Sequence, residues 1–168
     1  TEVNVVLDLM IHDIDIALSL VHSEVVSISA SGHSVVTGDI DIANARLKFA
    51  SGCIANLAAS RASQDQVRAM TIQQAGSYIS VDYMNHSMLI GEVDSDGRRS
   101  EHREDAFATR NVQGSDVLMD EIRSFVSAVE HGHEPWVTGE DGMKALEIAI
   151  EVSRKIYESS EMEKPIRA

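Results

Sequence analysis

Between Glu24 and Glu92 the chain is a succession of short alternating runs, separated by turns too brief to hold a helix. The best formed is Asp41 to Ala50, where Ile42, Ala43, Ala45, Leu47 and Phe49 stand against Asn44, Arg46 and Lys48. A period of two sends these sets to opposite faces of a strand. Ser51-Gly52 then reads as a tight turn into Cys53 to Arg61, which makes a hairpin. Glu24 to Ser31 precedes it; Arg68 to Ala75, Ser77 to Asp82 and Ser87 to Glu92 follow, with Gly76 marking another turn. A parallel pair needs a crossover of about a dozen residues or more, so these strands are expected to pair antiparallel.

Helical periodicity brackets the strands. From about Asn4 to Leu20, apolar residues fall at Leu7, Met10, Ile11, Ile14 and Leu18, and the spacing carries on to Val21. The period returns after Ser115 with Val117, Leu118, Ile122, Phe125, Val126 and Val129, ending near Gly132. Thr138 is placed to cap a last helix, whose expected buried stripe is Met143, Leu146, Ile150 and Ile156, up to about Ser159. Residues 94–114 read as a turn and a polar loop with a further short strand, and Lys164-Pro165-Ile166 as a final extended segment. A helix, a run of strands and two helices give an α+β fold: an open, predominantly antiparallel β-sheet with helices packed on one face. At 168 residues, a single domain over 1–168 is expected.

Charge and glycine content narrow the function. A formal net charge of −13 repels phosphate backbones and anionic lipid, so no nucleic-acid or membrane partner is expected. A phosphorylated small molecule in a local basic pocket stays open. No stretch reaches the roughly 18 apolar residues of a membrane span. The lone Cys53 can form neither an internal disulfide nor a cysteine metal cluster; a small core hydrophobe in a reducing cytoplasm is the expectation. The 10 glycines are dispersed, and no Gly-x-Gly-x-x-Gly or Walker loop occurs, so this chain has no visible cradle for a dinucleotide and no Rossmann domain. A patterned segment already running by Val3, with neither leader nor initiator Met, suggests a cut inside a longer protein or at a domain seam.

The densest polar cluster is Asp8-Leu-Met-Ile-His12-Asp13-Ile-Asp15. Asn4, Asp8, His12 and Asp15 recur three or four apart, the spacing of one helical stripe. A carboxylate beside an imidazole can orient it for proton transfer. The same spacing also fits a solvated acidic face with one satisfied histidine, and spacing leaves both open. A metal site built on His12-Asp13, as in helical phosphohydrolases, would need further histidines on other helices, whereas strands follow here; no metal is expected. No nucleophile motif is present. Arg61, at a strand end, can pair with a substrate phosphate or carboxylate, or equally with one of the 27 acidic residues.

Three stretches together resemble the C-terminal domain of the Gfo/Idh/MocA oxidoreductases. They are Val6-Leu-Asp-Leu-Met-Ile-His-Asp-Ile-Asp15, similar to the family's Asp-x-x-x-His helix; the hairpin Ala43 to Arg61; and Glu121 to Val129 through Pro135-Trp-Val-Thr-Gly-Glu-Asp-Gly142 into the last helix. The first is also similar to the UDP-N-acetylglucosamine 3-dehydrogenase branch of that family. The resemblance implies an N-terminal Rossmann domain that binds NAD or NADP, and a sheet whose free face makes a homo-oligomer. It implies oxidation of a sugar, nucleotide sugar or polyol by hydride transfer. Asp8 and His12 would be catalytic: His12 takes the hydroxyl proton, while Asp8 orients His12 and binds a neighbouring hydroxyl. Asn4, one turn earlier, would be a substrate contact. The family's catalytic lysine, in a Glu-Lys-Pro of the Rossmann half, has no counterpart, because Glu163-Lys164-Pro165 lies at the wrong end of the chain. The chain alone is therefore expected to be inactive. The alternative is a non-catalytic ligand-binding or oligomerisation module on the same sheet.

Overall fold

The computed structural model describes residues 3–92, 107–111 and 116–162. Within them the chain forms two compact units, Thr1–Gln64 with Gly132–Ala168, and Asp65–His131.

The first unit opens with a π-turn, Val6–Met10, continuing into α1, Ile11–Leu20. Strands β1 (Val25–His33), β2 (Ile42–Phe49) and β3 (Ile54–Ser60) follow as an antiparallel sheet in that order. The expected β2–β3 hairpin forms, with Ala45 opposite Leu57 and Leu47 opposite Ala55. Gly52 turns it at φ 88°, in the left-handed region that glycine enters without steric cost. Alternation along β2 sends Ala43, Ala45, Leu47 and Phe49 inward and Asn44, Arg46 and Lys48 to solvent.

The π-turn, α1 and α3 (Gly139–Met162) supply the helical side of this unit's core. Val5, Val6, Met10, Ile14, Leu47, Phe49, Val152 and Ile156 are fully buried there. The buried face of α3 matches the expected one only at Ile156: Ala145, Ala149 and Val152 go inside with it, while Met143, Leu146 and Ile150 stay exposed. α3 packs against β1, where Gly32 leaves room for the Ile156 side chain. A Cβ on Gly32 would stand 2.7 Å from the Ile42 carbonyl and 3.0 Å from Ile156 Cγ2. Thr138 caps α3 as expected: its Oγ1 accepts from Asp141 N, while Asp141 Oδ2 accepts from Thr138 N at 3.0 Å and Oγ1 at 2.7 Å.

The second unit holds β4 (Ala69–Gln74), β5 (Ser77–Asp82), β6 (Ser87–Glu92) and β7 (Phe107–Asn111), an antiparallel sheet in sequence order, and α2 (Val117–His131). The register lines up Ile72, Ile79 and Ile90, and beside them Met70, Val81 and Met88, as one apolar face. The fold class is thus the expected open antiparallel one, with the strands divided between two sheets. The extended segment expected at Lys164-Pro165-Ile166 lies outside the described residues. Cys53, expected in the core, is instead exposed, because it sits in the hairpin turn ahead of β3.

Candidate functional site

The site is built where the start of the first helix meets the end of β3. Asn4 caps the helix: its Oδ1 accepts from the backbone N–H of Val6 and of Leu7, each at 3.1 Å. These are the second and third donors of a helix start, which no preceding carbonyl can serve. Asn4, expected as a substrate contact, is therefore buried and committed to the backbone. The π-turn shows in the N–H of Ile11, which reaches back to the Val6 carbonyl, five residues away. Its wider turn departs from the α-helical spacing on which a single Asn4–Asp8–His12–Asp15 stripe depends. Asp8, Leu9 and His12 are exposed, Asp15 half-buried and Asn4 buried.

Arg61 follows β3 directly. Its Nη2 donates to the Val3 carbonyl at 2.7 Å and to Asp8 Oδ2 at 2.9 Å. Two of the sequence candidates, 53 positions apart, are thereby brought together. The guanidinium is mostly covered, at 21% exposure, and the Asp8 side chain open, at 55%. An ion pair this exposed adds at most about 1 kcal/mol to stability, so its consequence is where it holds the two groups. Among the described residues nothing engages Nη1 or Nε of Arg61, and no hydrogen bond joins Asp8 to His12. His12 stands exposed in the first turn of α1. No group of three potential metal ligands occurs among the described residues.

A polar network behind the site had no clear mark in the sequence. Asn4 Nδ2 donates to Ser153 Oγ at 3.4 Å, and Ser153 Oγ donates to the Ala149 carbonyl at 2.9 Å. The Tyr157 hydroxyl donates to Asp39 Oδ1. Desolvation, with Asp39 as a second cause, pushes the Tyr157 phenol up, so it stays a proton donor. Asp39 Oδ1 accepts from Ile40 N at 2.8 Å.

Next in the chain, the buried Asp41 accepts from Val35, Val36 and Thr37 N–H at 2.8, 2.7 and 2.8 Å. These bonds, the Thr37 N–H foremost, hold its carboxyl well below the usual carboxylate range despite burial. The backbone of this loop end touches both sides of the site: the Ile40 carbonyl accepts from Val5 N and the Asp41 carbonyl from Arg61 N, both at 3.0 Å.

Residues 3–79, which contain all of these groups except those of Ala149, Ser153 and Tyr157, match the model of the GFO/IDH/MocA C-terminal domain. The chain is 33% identical over 157 residues to UDP-N-acetylglucosamine 3-dehydrogenase of Acidithiobacillus ferrooxidans, covering 90% of this chain and 48% of that protein. This chain belongs to the Gfo/Idh/MocA family, as its C-terminal domain. Inositol 2-dehydrogenase of Rhizobium meliloti is 31% identical over 165 residues, covering 92% of this chain and 48% of its own. A solved structure of the Acidithiobacillus ferrooxidans enzyme superposes with a TM-score of 0.80 at 30% identity, over 92% of this chain and 48% of that one. The Gfo/Idh/MocA chain described here thus spans about half the length of the curated relatives it matches.

Proposed function

We propose that this chain is the substrate-binding part of an NAD(P)-dependent dehydrogenase that oxidises a hydroxyl of a sugar, nucleotide sugar or polyol, with residues 1–168 acting as one domain. The observation that carries the reading is the meeting of Asp8 and Arg61, with the exposed His12 about one helical turn on in the sequence, inside the segment that the family model matches. The relatives, named for UDP-N-acetylglucosamine and for inositol, support a substrate with neighbouring hydroxyls.

The dinucleotide does not fit the residues present. Both sheets are antiparallel among the described residues, and the sequence has no glycine-rich strand-to-helix turn. NAD or NADP, the hydride acceptor, would be held by a nucleotide-binding domain outside this chain. The work of the residues present is then to hold the substrate and move its proton. His12 takes the proton of the reacting hydroxyl, the task histidine suits near neutral pH. Asp8 keeps a lone pair free beside the Arg61 bond and accepts from the adjacent hydroxyl. Arg61 offers Nη1 and Nε to an oxygen acceptor on the substrate. Asn4 serves the site from behind. Assembly into a homo-oligomer through an open sheet face, in the cytoplasm, goes with this reading.

The test is His12→Ala in the full-length protein, assayed with UDP-N-acetylglucosamine and with myo-inositol against NAD+ and NADP+. Turnover should fall roughly 10²- to 10⁴-fold, the usual share of a general base, with circular dichroism and assembly unchanged. Unchanged turnover would return the chain to a non-catalytic binding or oligomerisation module.

A further inference from the structure

The π-turn that carries Asp8 has no side chain of its own to fix where it begins. Its start is held by the Asn4 amide, by the Ile40 carbonyl on Val5 N and the Asn4 carbonyl on Asp8 N, and by what braces Asn4 in turn. That bracing comes from Ser153 on α3. We infer that Asn4, braced by Ser153, is the positioning residue that sets Asp8 against Arg61 and so fixes the candidate site's geometry. The inference rests on the catalytic reading above and adds to it residues that touch no substrate.

The argument is one of position and burial. Asn4 is 7% exposed and Ser153 likewise 7%, so their amide and hydroxyl have no bulk water to fall back on. Losing the Asn4 oxygen leaves two buried or half-buried N–H groups without an acceptor, and the helix start must shift to reach others. Arg61 would feel that shift twice, since its Nη2 is shared between the Val3 carbonyl, one residue before Asn4, and Asp8, one turn after it. Ser153 acts one step further out. Removing its hydroxyl takes the acceptor from Asn4 Nδ2 but leaves the cap oxygen in place.

The experiment compares Asn4→Ala, Asn4→Ser and Ser153→Ala in the full-length protein at a temperature where each is fully folded. Two readouts are taken: turnover, and amide hydrogen exchange of residues 6–11 by NMR. Asn4→Ala should lower kcat about tenfold to a hundredfold, as a misplacement near 1 Å can do, with the KM for dinucleotide unchanged and exchange over 6–11 faster. Asn4→Ser keeps a neutral oxygen at the cap and should recover most of both losses. Ser153→Ala should give a smaller loss of the same kind. An Asn4→Ala protein that melts earlier yet keeps wild-type kcat would show a merely structural cap and overturn the inference. If His12→Ala retains turnover, the catalytic reading fails on its own; wild-type exchange over 6–11 in Asn4→Ala would then still overturn the positioning role, and faster exchange rescued by Asn4→Ser would uphold it.

Discussion

The two compact units use the same sequence device to different ends. Each contains an antiparallel sheet with apolar residues aligned on one face: Ala45 and Leu47 with Leu57 and Ala55 in the first, Ile72, Ile79 and Ile90 with Met70, Val81 and Met88 in the second. In the first unit helices lie over that face, and Leu47 and Phe49 are wholly buried. In the second those six sheet residues are only half-buried, and α2 leaves Ile122, Phe125 and Val129 at 47%, 60% and 67% exposure. Alternation therefore states which face needs cover, not what provides it. The candidate site has formed in the unit whose cover lies within that unit, where a dense interior can hold Asp8 and Arg61 to a fixed geometry.

The sharpest break in this comparison comes from truncating one large side chain in each unit. Phe49→Ala should cost about 3–5 kcal/mol, because the cavity forms in a closed core. Ile79→Ala, at a half-buried position, should cost clearly less, below about 2 kcal/mol. Urea unfolding followed by probes in each unit decides it; equal losses would mean that the second sheet is as well covered as the first.

Acid offers a second contrast. Asp41 in the first unit and Asp82 in the second both have carboxyls held low, Asp41 first by the Thr37 N–H and Asp82 first by the Asn85 side chain. A folded-state value below the unfolded one gives stability that is complete above the ordinary aspartate range, about 3.9, and is lost as pH falls below it. Stability against urea between about pH 5 and 2.5 should therefore decline less in Asp41→Asn than in the wild type, from a lower starting point. Asp82→Asn should flatten the curve less, because its carboxylate caps an exposed turn. A wild-type slope in Asp41→Asn would remove Asp41 from the acid response.

How far these features could be read beforehand follows from how local their causes are. The hairpin at Ser51-Gly52, the Thr138 cap and strands β4 to β6 rest on neighbours in sequence, and the strand boundaries came within about two residues. The buried side of α3 did not, because the helix carries two apolar stripes and bulk favours the wrong one. One buried contact, that of Ile156, depends on Gly32, more than a hundred residues upstream, where an added Cβ would meet the Ile156 side chain. The Asp8–Arg61 contact was open as one pairing among many and needed the fold to select it. Asn4 did carry a local sign, an asparagine ahead of an apolar helical run. Reading it as part of an outward stripe assumed a regular α-helix, which the π-turn replaces.

Smaller effects separate intrinsic local structure from cover. Thr138→Ala should cost about 1 kcal/mol, as a lost helix cap does, in the first unit only. Phe125→Ser on α2 is the most informative of the small changes, because the expected stability change is close to nothing, within about 0.5 kcal/mol. What it should change is association. Leu118, Ile122, Phe125 and Val129 recur at three and four along one side of α2, each at least 47% exposed, and a contiguous apolar strip of that kind draws chains together. Light scattering on the isolated chain should therefore fall with Phe125→Ser while its unfolding curve stays put. In the full-length protein the same substitution should destabilise if another part of the molecule covers this face, so the sign of the difference between the two proteins reports the cover directly. Equal and negligible effects in both would mean that the strip faces water throughout, and that the contrast between the units lies in the sheet alone.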